Sequence, residues 1–101
     1  MKKEKLKNII SETINNGEFK KEIRRVSLFG SYAMGVNNEQ SDVDLLIDFY
    51  PEATVGLFKL SRIKRAFERS TGKQIDLLTP EAISKYFRED IVKNSEKIYE
   101  G

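Results

Sequence analysis

Apolar residues near the N-terminus recur at helical spacing, and those that follow recur at strand spacing. One helical face carries Leu6, Ile9, Ile10 and Ile14. Asn15-Asn16-Gly17 follows as a stop signal, so the pattern predicts an amphipathic helix over residues 3–15. The run RVSLF at 25–29 predicts a first short strand, which leads directly into Gly30-Ser31.

The clearest alternation lies at residues 42–49 and predicts a second strand. One face would carry Val43, Leu45, Ile47 and Phe49, and the other Asp42, Asp44, Leu46 and Asp48. Pro51 ends this strand. Aspartate is depleted from strands, so three of them on one face require an explanation.

The rest of the chain predicts a helix, a third strand and further helix. The first of these helices has an apolar stripe at Leu57, Leu60, Ile63, Ala66 and Phe67. It ends at Thr71-Gly72, and residues 73–78 predict the third strand, with Asp76 on one face. Thr79-Pro80-Glu81 is a helix-start signal, and one or two helices are predicted to continue through Ile98. The whole chain, 1–101, is therefore expected to be one α/β or α+β domain, with a small sheet covered by helices on one side.

Composition narrows the chemistry. The 101 residues include no cysteine and no histidine, which excludes disulfides, thiolate or imidazole metal sites and Ser-His or Cys-His catalysis. The net charge is only +2, so direct nucleic-acid binding is not indicated. No apolar run approaches the roughly 20 residues of a membrane span, and MKKEKLKN lacks the core of a signal peptide, so a cytoplasmic location is expected.

The carboxylates of Asp42 and Asp44 can lean toward one point. Residues two apart on a strand share a face and are separated by roughly 6.6 Å of rise. Two carboxylates this close repel unless a cation compensates, and oxygen-only ligation selects Mg²⁺ or Mn²⁺. The alternative is a solvated strand face. Asp48 lies on the same face of this strand.

Gly30-Ser31 lies directly after a strand and is followed by Gly35. Glycine lets backbone N–H groups approach a ligand, and Ser31 adds a hydroxyl, so this turn could cradle phosphate oxygens. The alternative is a plain strand-to-helix turn in which Ser31 caps the helix. A cradle beside a carboxylate pair is what metal-assisted nucleotide chemistry requires.

These segments together resemble the nucleotidyltransferase superfamily that includes polymerase beta. The motif has three parts: Gly30-Ser31-Tyr32-Ala33-x-Gly35, then Ser41-Asp42-Val43-Asp44-Leu45-Leu46, then Asp76. The size is similar to that of the minimal (MNT) members. The resemblance implies a mixed sheet of three or more strands with flanking helices.

The same resemblance implies site residues and cofactors. Two Mg²⁺ or Mn²⁺ ions would be held by Asp42 and Asp44, with Asp76 as the third carboxylate, acting as ligand or general base. ATP would be the substrate. The nucleotide-binding residues would be Gly30, Ser31, Gly35 and Ser41. Asp48 lies one step beyond the family motif and is therefore expected to be a solvated or ion-paired acid and not a ligand.

Minimal members resembling this chain commonly act as antitoxins to a HEPN-domain RNase toxin, some by transferring AMP from ATP to a toxin tyrosine. Two alternatives stay open: an antitoxin that acts by binding alone, and a transferase for an aminoglycoside-type small molecule, whose pocket would need a second domain or a homo-oligomer. The basic helix from Lys59 to Arg69 is either a surface for a partner or RNA, or a solvated face.

Met34 departs from the family pattern, which has Arg or Lys between the small residue and the second glycine. Lys59 and Arg62 are candidates for a replacement cation at the phosphates. Met34 itself either lies near the phosphates, fills an apolar gap or contacts a partner.

Overall fold

The computed structural model describes residues 1–38 and 40–101 and contains a four-stranded mixed sheet. Its elements are α1 (Lys3–Asn15), β1 (Ile23–Phe29), α2 (Gly30–Met34), β2 (Val43–Phe49), α3 (Leu57–Thr71), β3 (Ile75–Leu78), α4 (Lys85–Asn94) and β4 (Glu96–Glu100), with a 3₁₀ turn at Pro80–Ala82. The strand order is β3-β2-β1-β4. Strand β1 is antiparallel to β2 and β4, whereas β2 and β3 are parallel. The predicted mixed sheet with flanking helices is confirmed.

One face of the sheet packs against α1 and α3 and forms the core. Val26 pairs with Ile47 and Leu28 with Leu45, which places these four fully buried side chains on that face. The helices contribute Leu6, Ile10, Ile14, Ile63 and Phe67, all buried at the spacing that the sequence pattern predicts. Burial of this apolar surface is the main force that holds the two helices on the sheet.

The opposite face carries the polar residues and is only partly covered. Ser27 pairs with Leu46 and Arg25 with Asp48 across β1 and β2. None of the ten residues of α4, all of them described, is buried. Val92 and Ser95 instead line a cavity of about 380 Å³ together with polar residues of this face. The acidic residues of β2 therefore point to the more open side of the sheet.

Two predictions for the C-terminal part are wrong. No long helix starts at Thr79, which makes no side-chain capping bond to the described residues; the chain forms one 3₁₀ turn and then extends at Ile83, whose side chain is buried. Ile98 lies in strand β4 and not in a helix, because β4 pairs with β1, with Tyr99 opposite Val26. Ile91 and Ile98 are seven residues apart, a spacing that also fits a helical face, so the pattern could not reveal this pairing.

The remaining differences are small. Strand β1 begins at Ile23, two residues before its predicted start. Strand β3 begins at Ile75, two residues after its own predicted start. The short α2 follows β1 without a linker. Within the described ranges, no helix is both long and apolar enough to cross a membrane.

Candidate active site

Gly30 and Asp44 meet where β1 ends and α2 begins. Phe29, the last residue of β1, is paired with Asp44 on β2, so the next residue turns over the aspartate side chain. Gly30 has φ +73°, and a β-carbon at this position would overlap the Asp44 carboxylate. Glycine is therefore needed here for its left-handed backbone and for its missing side chain.

Asp44 and Asp76 are direct neighbours in the parallel pair β2–β3. Asp44 is half-buried, whereas Asp76 and Asp42 are exposed. Burial raises the pKa of Asp44 above its ordinary value, and the negative charges of Asp76 and then Asp42 raise it further. The three carboxylates thus form a region of unfavourable negative charge on the open face of the sheet.

The carboxylates of Asp42, Asp44 and Asp76 suit a hard divalent cation in their chemistry, although the three do not point to one common position. Among the described residues, no group of three or more His, Cys, Asp or Glu side chains is placed to hold a metal ion. The donors beside Gly30 are nevertheless all oxygens, burial and the negative charges of Asp76 and Asp42 disfavour the ionised form of Asp44, and the missing β-carbon lets the Asp44 carboxylate lie against the Gly30 backbone. Magnesium is usually held by one or two carboxylates together with substrate phosphates, so the residues fit such an ion.

Ser31, Gly35 and Ser41 occupy three different local environments. Ser31 does not cap α2, because the N-cap residue is Phe29. The hydroxyl of Ser31 has no hydrogen-bond partner in the described part of the chain. Gly35 ends α2 with φ 74° and donates its N–H toward Ser31 and Tyr32 carbonyls. The Ser41 hydroxyl accepts a hydrogen bond from the Asn38 N–H at 2.9 Å and closes the turn before β2. The capping alternative for Ser31 is therefore wrong.

The proposed replacement cations lie elsewhere, which corrects the expectation for Lys59 and Arg62. Lys59 Nζ donates to Glu22 Oε1 at 2.9 Å, and Arg62 Nη2 lies 2.6 Å from Glu18 Oε1. Both cations also stack on the Phe19 ring, each 5.6 Å from its centroid. Glu22 directly precedes β1, at the end of the strand remote from Gly30, so these cations belong to the other end of the molecule.

Met34 and Asp48 are both solvent-accessible. The Met34 side chain is 75% exposed at the end of α2, so it does not fill a gap in the core. Asp48 Oδ2 lies 3.9 Å from Arg24 Nη1, consistent with the predicted ion-paired acid. Neither residue contributes to the packing that holds Gly30 against Asp44.

Lys73 is a cation beside the acids that the sequence pattern did not reveal. It lines a shallow cavity of about 340 Å³ together with Ser41 and Asp42. The parallel pairing of β2 and β3 brings the two strand starts together, and the Val43 N–H donates to the Gln74 carbonyl at 3.0 Å. The strand–helix–strand order of β2, α3 and β3 is the signal from which this juxtaposition could have been inferred, because strands joined through a helix are usually parallel.

Comparison with known proteins gives one family and several relatives. The family described as "Nucleotidyltransferase domain" matches residues 4–98. A Methanocaldococcus jannaschii protein named as a "putative protein adenylyltransferase" is 34% identical over 73 residues, covering 72% of this chain and 76% of the relative. Protein adenylyltransferase MntA from Thermococcus cleftensis is 30% identical over 71 residues, covering 70% of each chain.

Solved structures share the fold. A "putative minimal nucleotidyltransferase" is 30% identical and superposes with a TM-score of 0.76, covering 98% of this chain and 96% of the other. The MNT antitoxin complex with a tri-AMPylated Shewanella oneidensis HEPN toxin gives a TM-score of 0.68 at 15% identity, covering 98% and 73% of the two chains. A toxin–antitoxin structure with AMP-PNP superposes with a TM-score of 0.75 at 17% identity, covering 94% of this chain and 73% of the other.

Proposed function

This chain belongs to the nucleotidyltransferase domain family, and from that premise we propose that it transfers AMP from ATP to a hydroxyl group of a HEPN-domain toxin and so acts as its antitoxin. Relatives at 30% identity or more are named protein adenylyltransferases. A chain with the same fold is in complex with an AMPylated HEPN toxin. ATP in the cytoplasm would supply the nucleotide, so the proposal includes a cytoplasmic location.

One observation carries the proposal: Gly30 leaves out a side chain where Asp44 needs the space. A left-handed glycine that faces a half-buried carboxylate contributes nothing to core packing. It does bring the Asp44 carboxylate against the backbone at the start of α2, so a phosphate group bound at this backbone would lie beside the carboxylate and could share a divalent cation with it. We assign the triphosphate to the turn formed by Gly30 and Ser31, with Gly35 and Ser41 shaping its two flanks.

Asp42 and Asp44 would hold the divalent cations, Mg²⁺ or Mn²⁺, with Asp76 beside them. When bound, the ions would neutralise the triphosphate and acidify the acceptor hydroxyl. The positions of Asp44 and Asp76 do not depend on these ions. Asp44 is fixed by its strand neighbours and by Gly30, and Asp76 faces solvent on the adjacent strand, where an incoming acceptor would arrive.

The transfer is a displacement at the α-phosphorus of ATP. The acceptor oxygen forms a bond to this phosphorus, the bond to the bridging oxygen of the β-phosphate breaks, and pyrophosphate leaves. The hydroxyl proton passes to the Asp76 carboxylate and from there to water. The Ser31 hydroxyl can donate a hydrogen bond to a phosphate oxygen, because within the described ranges only the backbone carbonyl of Ser31, and not its hydroxyl, has a hydrogen-bond partner.

The acceptor is proposed to come from a protein partner. The open sheet face next to Asp44 is roofed only in part by α4, which buries none of its ten described residues. A partner can therefore place a hydroxyl-bearing side chain against Asp76 without moving the core.

The exposed Met34 supports a second candidate function, in which the protein binds the toxin without catalysis, because methionine supplies no charge to the triphosphate.

Isotope labelling tests the proposed reaction. The protein is incubated with its purified HEPN partner, Mg²⁺ and ATP that is labelled on either the α- or the γ-phosphate. The partner is expected to retain the α label and not the γ label. Transfer of the γ label would indicate phosphorylation, and no transfer of either label would favour an antitoxin that acts by binding alone.

A further inference from the structure

A groove with an apolar floor lies between α1 and α3, on the face of the sheet opposite to the acids. Its volume is about 240 Å³. Its floor is formed by the buried core side chains of Ile14, Ile23, Ile63 and Phe67, with the partly buried Phe19 and Ala66 beside them. The proposed transfer reaction does not use this groove.

The rim of the groove is strongly basic. Arg62, Arg65 and Arg69 follow one side of α3 at spacings of three and four residues, and Lys20 adds a cation from the segment after α1. Arg62 is already paired with Glu18, the one acid among the described lining residues.

Three of these cations have no acidic partner among the described residues. Lys20, Arg65 and Arg69 take part in none of the ion pairs formed within residues 1–38 and 40–101. Arg65 Nη2 donates a hydrogen bond to the Ser61 hydroxyl at 3.3 Å. The rim therefore has positive charge available for an external anion.

The dimensions favour protein side chains over a small molecule. Pockets for drug-sized ligands typically have about 300–1,000 Å³, and this groove is smaller. The volume suits one large apolar side chain. The backbone of a nucleic-acid duplex would satisfy the arginines but would leave the apolar floor in water, because the bases of a duplex are stacked on one another inside the helix.

We propose that this groove docks a short acidic segment of a protein partner, with one large apolar side chain on the floor and carboxylates against Lys20, Arg65 and Arg69. Opposite charge steers such a segment to the rim, and the apolar contact keeps it bound. Since the groove and Asp44 lie on opposite faces of the sheet, the segment could stay docked while another part of the partner reaches the acids.

Peptide binding tests the proposal without ATP, and so independently of the transfer reaction. A fluorescent synthetic peptide with glutamates around a single phenylalanine is titrated with the full chain and followed by anisotropy. Saturable binding is expected that weakens with added salt. Replacing either the glutamates by glutamine or the phenylalanine by serine should reduce the affinity about tenfold.

Charge reversals locate the binding site. Arg65→Glu and Arg69→Glu should each weaken peptide binding about five- to tenfold. Lys64→Glu is the matched control, because Lys64 is exposed on the same helix but does not line the groove, and its reversal should change the affinity less than about twofold. Thermal unfolding verifies that each variant is folded.

Several results would overturn the proposal. These are no binding, equal binding of the glutamine peptide to the unaltered protein, or an equal loss for Lys64→Glu and Arg69→Glu. Displacement of the peptide by a tighter-binding single-stranded RNA would identify the surface as a nucleic-acid site. The glutamine-peptide comparison needs no variant, so it decides the question even if a charge reversal unfolds the chain.

Discussion

The α-carbon of Gly30 faces the carboxylate of Asp44, and no side chain larger than hydrogen fits between them. The contact links the end of β1 to the start of β2, two strands that are already neighbours in the sheet. Gly30 therefore has two roles: it allows the turn, and its missing side chain makes room for the Asp44 carboxylate. The effect of a substitution at Gly30 on stability should therefore depend on the side chain at position 44.

Gly30→Ala should destabilise the fold and displace Asp44. A left-handed backbone costs an L-residue about 1–2 kcal/mol, and crowding against the carboxylate adds about 1–3 kcal/mol. Gly35→Ala is the matched control, because Gly35 has nearly the same φ, 74° against 73°, but a β-carbon there meets no atom within 4 Å. Chemical denaturation of both variants measures the difference.

A double-mutant cycle identifies the source of the extra cost. Asp44→Ala should recover most of the crowding energy of Gly30→Ala and none of the cost of Gly35→Ala. Equal destabilisation by the two glycine substitutions would show that Gly30 and Asp44 do not compete for the same space.

Asp44→Asn should stabilise the metal-free protein at neutral pH. The folded pKa of Asp44 is raised above its ordinary value of 3.8, so the folded state binds this proton more tightly than the unfolded state does. Stability is therefore lost as the pH rises from the unfolded pKa through the raised folded pKa, and the loss persists above it. The asparagine variant lacks this penalty, and its advantage in Tm should disappear well below pH 3.8.

Asp48→Asn is the control for this experiment. Asp48 lies on the same strand but is paired with Arg24, so its replacement should bring no gain in Tm at neutral pH. A lower Tm for Asp44→Asn than for the unaltered protein at neutral pH would contradict the description of Asp44 as a destabilised acid.

ATP and Mg²⁺ should bind cooperatively. Two carboxylates make a poor magnesium site, and the triphosphate provides the missing oxygens. A ligand at 100 times its Kd stabilises by about 2.7 kcal/mol, which corresponds to a rise in Tm of several degrees for a domain of this size. The rise should require both components and should be lost in Asp44→Asn. Equal shifts with ATP in the presence and absence of Mg²⁺ would argue against a metal-bridged nucleotide.

Met34→Arg should tighten binding of ATP with Mg²⁺ at least severalfold. The side chain is 75% exposed, so the fold should tolerate the change, and a hydrogen bond to a charged group contributes about 1.5–3 kcal/mol. Val36→Arg is the matched control, since Val36 is 69% exposed but lies beyond Gly35. Calorimetry that finds an equal effect for both variants would indicate general charge attraction, and unchanged binding would place Met34 away from the phosphates.

The sequence predicted what depends on local pattern. The register of β2 follows from its alternation, which alone places Val43, Leu45 and Ile47 in the core and the acids opposite. Gly30-Ser31 could be assigned to a turn because it directly follows an apolar strand. The α1 and α3 stripes likewise predicted the burial of Leu6, Ile10, Ile14, Ile63 and Phe67. The prediction was wrong for Leu57, which is 85% exposed at the first position of α3.

Features that depend on long-range pairing could not be predicted in this way. Ile98 joins β4 because Tyr99 pairs with Val26, more than seventy residues away. Lys59 and Arg62 bond to acids just before β1, a contact that fixes them at the end of the sheet remote from Gly30. Lys73 approaches Asp42 only because β2 and β3 are parallel. Helical periodicity gives no information on any of these.

Intact mass of the co-expressed HEPN partner is the most direct test of AMP transfer. The partner is purified after expression with the unaltered protein, with Asp44→Asn and with Asp48→Asn. We predict that the partner gains the mass of one or more AMP groups with the unaltered protein and with Asp48→Asn, and none with Asp44→Asn. An unmodified partner in all three samples, or equal modification with Asp44→Asn, would contradict the assignment of Asp44 to an adenylyltransferase site.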